Sequence, residues 1–151
     1  FEDFYVNEFS AAQEICGFTP AAAETVCRLK ARGVRVALAT NPIFPRIATE
    51  HRIRWAGLAL EDFALYTTYE NSTFCKPNPD YYREVARTLG VQPEVCLMVG
   101  NDATEDLAAR EAGMDVFLLT DCLINTKNRD ISACPRGDFA ALNAYLDETL
   151  N

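Results

Sequence analysis

At 151 residues, 49% of them apolar and 24% charged, the chain has the size and balance of one globular domain with a real core. Its net charge of −8 works against a sequence-independent grip on nucleic-acid phosphates. No apolar run approaches a membrane span and no signal peptide is visible, so neither nucleic acid nor a membrane is an expected partner.

Phe1, Phe4, Tyr5, Phe9, Ala12 and Cys16 follow helical spacing and predict an amphipathic helix over residues 1–16. Thr19-Pro20 marks the start of a second helix, which runs through Val26 and Leu29 to a stop near Gly33. A short strand over 34–39 ends at Thr40-Asn41-Pro42, and a helix covers 45–55. A weak strand is expected over 64–68 and a helix over 78–89, with Tyr82, Val85, Ala86 and Leu89 on one face. The strongest strand is the apolar run 95–99, followed by a helix over 104–112, a last strand over 116–119 and a closing helix carrying Phe139, Leu142, Leu146 and Leu150. Residues 121–137 read as a surface-packed loop. Strands that alternate with helices, and that are continuous apolar runs, imply an α/β fold: a parallel sheet covered by helices on both faces.

None of the six cysteines, at 16, 27, 75, 96, 122 and 134, forms a Cys-x-x-Cys pair, and His51 is the sole histidine. A zinc site has poor support. The α/β pattern favours reduced thiols and a cytoplasmic location.

Three strand ends carry chemistry, and in open α/β sheets strand ends are where ligands bind. At the first, Thr40 and Asn41 offer a hydroxyl and an amide that can hold an anionic oxygen; alternatively one of them caps the following helix, with Pro42 or Pro45 in its first turn. At the second, Lys76 precedes a helix started by Pro77 and Pro79, and its ammonium can neutralise a phosphate, or it is a solvated surface lysine. At the third, Asn101, Asp102, Glu105 and Asp106 gather directly after Gly100. Capping of the next helix accounts for one acid, but less well for three acids and an amide in six residues. Mg²⁺ takes oxygen ligands and needs only one or two protein carboxylates, so the cluster suits it.

In this order on successive strands, the set resembles the haloacid dehalogenase-like hydrolase superfamily, from about Phe18 to the closing helix. Residues 36–41, Val-Ala-Leu-Ala-Thr-Asn, resemble its second motif, whose hydroxyl binds the transferred phosphoryl group. Residues 75–79, Cys-Lys-Pro-Asn-Pro, resemble the third, whose Lys stabilises a phosphoaspartate. Residues 98–106 resemble the acidic fourth motif, and Ala112-Gly113-Met114 also fits. The resemblance implies a three-layer Rossmann-like core and an Mg²⁺-dependent phosphatase acting on a small phosphorylated metabolite. Thr40, Asn41 and Lys76 would be catalytic, and Asn101, Asp102 and Asp106 would hold the metal.

Two departures qualify it. Asn101 stands where the family usually has an acid, leaving either Asn101 or Asp102 to partner Asp106 at the metal. No two Asp residues are two positions apart, so the Asp-x-Asp first motif, nucleophile and general acid/base, is missing. Residues 1–17 are then expected to be the end of a helical cap or a linker, and 18–151 a core without its first strand, with the nucleophile upstream. Such a core exposes two strand edges, so the 151-residue peptide alone is expected to fold poorly and to be inactive. A non-catalytic binding domain and a metal-free dehalogenase are the alternatives; the acidic cluster argues against the second.

Overall fold

The computed structural model of the protein describes residues 2–150. They divide into two compact units, one running to Ser72 and the other beginning at Thr73. Among the described residues all strand pairings are parallel, as the alternation of elements predicts.

In the first unit, the helix expected over 1–16 breaks into α1 (Glu2–Asn7) and a 3-10 segment, Phe9–Ile15, while Phe1 lies outside the described residues. The tightening coincides with ring packing: Phe9 stacks on Trp55 at 5.1 Å and meets Tyr5 at 5.2 Å. Stacked rings outweigh the small helical preference of so short a segment. Helix α2 (Pro20–Ala31) begins after Thr19 with Pro20 in its first turn, and Gly33 follows its end in the left-handed region at φ 75°. Strand β1 (Ala37–Leu38) pairs with β2 (Leu65–Tyr66). Both are shorter than predicted, but the bonds Ala64 N–H to Val36 O at 2.8 Å and Thr67 N–H to Leu38 O at 3.0 Å extend the pairing at each end. Helix α3 (Arg46–Trp55) buries Ala48, Thr49 and Ile53.

The second unit holds most of the buried apolar side chains. Helix α4 (Pro79–Leu89) is capped by Asn78, whose side chain accepts from the Asp80 N–H at 2.9 Å, and closed by Gly90 at φ 69°. Tyr81, Tyr82, Val85 and Ala86 form its buried face. Strand β3 (Leu97–Gly100) starts later than predicted because Pro93–Val95 turn as a 3-10 segment that leaves Val95 exposed. The helix expected over 104–112 is a 3-10 segment, Asp106–Ala112, that packs on α4 and on β4 (Asp115–Leu119). Its buried Ala108, Ala109 and Ala112 keep that approach close. A strand absent from the sequence reading, β5 (Arg136–Gly137), completes the order β3-β4-β5. Two residues without an apolar run carry no local strand signal. Helix α5 (Phe139–Thr149) starts at Asp138, whose carboxylate accepts from the Ala141 N–H at 2.8 Å.

Candidate active site

The site in the second unit is built at the end of β3. Strand β3 stops at Gly100, and the chain turns through Asn101–Glu105 into the 3-10 segment. The turn brings Asp106 back over Gly100, so closely that a Cβ built on Gly100 would overlap the Asp106 carboxylate. Only a residue without a side chain permits this approach. The loop before α4 delivers Lys76, whose Nζ donates to Asp106 Oδ1 at 2.6 Å. Both side chains are 5% exposed. Two charges removed from water need close pairing and further hydrogen bonds to offset their desolvation. Asp106 obtains one from the Asp102 N–H, which donates to Oδ2 at 2.9 Å. Lys76 is therefore not the solvated surface lysine that lysines usually are.

Asp102 has a different role. Its Oδ1 accepts from the Thr104 and Glu105 N–H groups at 2.7 and 2.9 Å, so this acid does cap the turn. Asn101 is tied sideways: its Nδ2 donates to the Cys122 carbonyl at 2.7 Å. The backbone follows, with the Ile124 N–H on Asn101 O at 2.7 Å and the Ala103 N–H on Ile124 O at 2.8 Å. Residues 120–125 thus form a strap along the acidic turn, part of the stretch read as a loop. An aspartate at 101 would set a carboxylate oxygen against the Cys122 carbonyl, so the strap accounts physically for an amide where the family usually has an acid.

The side-chain atoms of the turn able to ligate a cation are all oxygens, which suits a hard cation such as Mg²⁺. Asp106 accepts one hydrogen bond on each oxygen, from Lys76 Nζ and from the Asp102 N–H, which leaves lone pairs on both. Among the described residues no three His, Cys, Asp or Glu side chains are grouped to hold a metal. A cation here would draw on the side-chain oxygens of Asn101, Asp102 and Asp106, with other oxygens completing its shell. Mg²⁺ tolerates such a sparse protein set.

Tyr82 was predicted only as part of an apolar face. Its hydroxyl donates to the Glu105 carbonyl at 2.6 Å, and its ring centroid lies 5.7 Å from Lys76 Nζ. Burial, and then the Asp106 carboxylate, raise its phenol well above the ordinary value, so it stays a donor. No local pattern announces either contact.

The other predicted residues lie in the first unit. Thr40 follows β1, its carbonyl accepts from the Thr67 hydroxyl at 2.9 Å, and its own Oγ1 lies 3.4 Å from Asn41 O. Both Thr40 and Asn41 are half-buried. Neither caps α3. Pro45 holds the cap position without a side-chain bond, and Glu70 substitutes from a distance, both its oxygens accepting from the Arg46 N–H at 3.0 and 2.9 Å. The capping role expected of Thr40 or Asn41 is taken by Pro45 and Glu70 instead.

With this geometry in hand, the sequence profile of the haloacid dehalogenase-like hydrolases matches residues 3–113. The chain belongs to that family. The chain is 29% identical over 114 residues to the protein CbbY of Rhodobacter capsulatus, covering 76% of this chain and 49% of that protein. It is 33% identical over 101 residues to a glyceraldehyde 3-phosphate phosphatase of Methanothermobacter thermautotrophicus, covering 66% and 43%. A crystal structure of CbbY from Rhodobacter sphaeroides in complex with phosphate superposes with a TM-score of 0.73 at 25% identity, over 91% of this chain and 63% of that one. The chain thus spans about half the length, or less, of these curated relatives. The doubly covered parallel α/β fold read from the sequence is the fold of this haloacid dehalogenase-like chain. Among the described residues no helix is long and apolar enough to cross a membrane.

Proposed function

We propose that this chain supplies the phosphate-handling half of a phosphatase that acts on small phosphorylated metabolites. The observation that carries the reading is the buried Lys76–Asp106 pair at the end of β3, with both side chains 5% exposed. A cation and its counter-ion withdrawn from water stabilise a fold poorly and suit a site that must neutralise charge. The relatives give the chemistry its class: phosphatases among the similar sequences, and a phosphate complex among the similar structures.

In this reading Asp106 holds the Lys76 ammonium in place, and the ammonium's remaining N–H donors meet the oxygens of an incoming phosphoryl group. Thr40 and Asn41 bind and orient that group. The nucleophile is an aspartate from a segment outside these 151 residues, since no Asp-x-Asp occurs within them. Its carboxylate oxygen bonds to phosphorus as the ester P–O bond breaks. The leaving oxygen takes a proton from the second aspartate of that motif, and water then splits the phosphoaspartate into aspartate and inorganic phosphate. Mg²⁺, held by Asp106 with Asn101 or Asp102, would supply charge neutralisation on the transferring group. Specificity would come largely from the cap, and the 151-residue peptide alone would be inactive.

The test is phosphate release by the intact protein with and without Mg²⁺. Replacing Asp102 and Asp106 together by Ala is expected to abolish metal-dependent release. Undiminished activity in that double variant would remove the site assignment.

A further inference from the structure

Lys76 meets more than its carboxylate. Tyr81 and Tyr82 stand edge to face, with centroids 5.0 Å apart and planes at 85°. The ammonium lies 5.9 Å from the Tyr81 centroid and 5.7 Å from that of Tyr82. The rings are 0% and 1% exposed. An aromatic face attracts a cation through its quadrupole, and most strongly where water is excluded. Asp106 holds the ammonium by charge while the two rings flank it.

Tyr82 also acts at the other end of the ion pair. Its hydroxyl bonds the carbonyl of Glu105, the residue before Asp106, at 2.6 Å. One side chain on α4 therefore touches the lysine and fastens the turn that carries the lysine's partner. An ordinary core tyrosine needs a partner for its hydroxyl, but not one next to the counter-ion of the charge its ring contacts.

We propose that Tyr82 is a positioning residue for Lys76, its ring seating the ammonium and its hydroxyl fixing the turn that carries Asp106. The ammonium then keeps one location whether or not a phosphoryl group is present, which is the preorganisation that electrostatic stabilisation requires. This inference rests on the reading of Lys76 as the phosphoryl-binding cation.

The experiment uses the intact protein and two readouts. The first is solvent exchange of the Lys76 ammonium protons by ¹H–¹⁵N NMR, assigned with Lys76→Arg. The second is kcat and KM for p-nitrophenyl phosphate. Tyr82→Phe keeps the ring and loses the Glu105 bond, so ammonium exchange is expected to rise about fivefold. Tyr82→Leu loses both, and exchange is expected to rise about thirtyfold. The kcat should fall in the same order, with KM changing less. Val85→Ala is the control: it opens the same buried face of α4 and should leave ammonium exchange unchanged. Unchanged exchange in Tyr82→Phe, or acceleration by Val85→Ala equal to that by Tyr82→Leu, would reduce Tyr82 to a core residue and overturn the proposal. If the wild-type protein released no phosphate but its ammonium exchange responded as described, the phosphatase reading would fail and the positioning role would stand.

Discussion

Gly100→Ala tests how the charged centre is built. Where the native backbone and surroundings accept alanine, this change stabilises a protein by about 0.4–1 kcal/mol, because alanine has fewer unfolded conformations to lose. Gly100 is not among the glycines with positive φ, so its backbone imposes no conformational penalty on alanine. The obstacle is steric. The new methyl group would occupy the space of the Asp106 carboxylate. Aspartate has one methylene and cannot retreat while Lys76 Nζ holds Oδ1 at 2.6 Å and the Asp102 N–H holds Oδ2 at 2.9 Å. Either β3 shifts, at about 1–3 kcal/mol for overpacking, or the carboxylate leaves the lysine and strands a buried charge, at about 3–5 kcal/mol. The second outcome would consume a large part of a domain stability of about 5–15 kcal/mol. For a chain of this size, a loss of about 4 kcal/mol corresponds to a fall in Tm of roughly 8–16 °C. Urea unfolding of the intact protein measures the loss, and a double-mutant cycle identifies its source. In a Lys76→Met, Asp106→Ala background the carboxylate is gone, so adding Gly100→Ala should cost less than about 1 kcal/mol. An equal cost in both backgrounds, or no cost in the wild type, would refute the account of Gly100 as the seat of Asp106.

Asn101→Asp should release the strap, because a carboxylate cannot donate to the Cys122 carbonyl. Amide exchange at Ala103 and Ile124 should accelerate about fivefold, and unchanged exchange would show that the backbone bonds suffice without the side chain. Acid should act on the loop that precedes Lys76. Partial burial of Glu84 opposes its ionisation, but the Thr73 hydroxyl and the Thr73 and Phe74 N–H groups outweigh this and hold its carboxyl below the ordinary 4.5. A folded-state pKa below the unfolded one contributes stability that is fully present above pH 4.5 and is lost as pH falls through the lowered value. Protection factors at the Thr73 and Phe74 amides should stay level down to about pH 4.5, fall below it, and lose this pH dependence in Glu84→Gln. A decline that begins at neutral pH would contradict that assignment.

What the sequence determined by itself was the order of chemical groups along the fold. Apolar runs ending in Thr40-Asn41 and in Gly100-Asn101-Asp102, and the helix start after Lys76, are local patterns, and their alternation implied parallel pairing. Helices α2, α3 and α4 began and ended where Pro and Gly dictated, because those residues act through their own φ angles. Elements whose state depends on distant partners escaped it. The break between α1 and the next segment accompanies the stacking of Phe9 on Trp55, and β5 is too short to announce itself. Within the site, tertiary structure alone assigned the roles. The acids look equivalent in sequence, but Asp106 pairs with a lysine 30 residues away while Asp102 caps its own turn. Asn101 looks like a weakened acid until its amide meets the Cys122 carbonyl, 21 residues on. Tyr82 looks like core until its hydroxyl reaches Glu105, 23 residues on. Periodicity and capping are encoded within a few residues, whereas the partner of a buried charge is selected by which segments the packed core brings within hydrogen-bond reach.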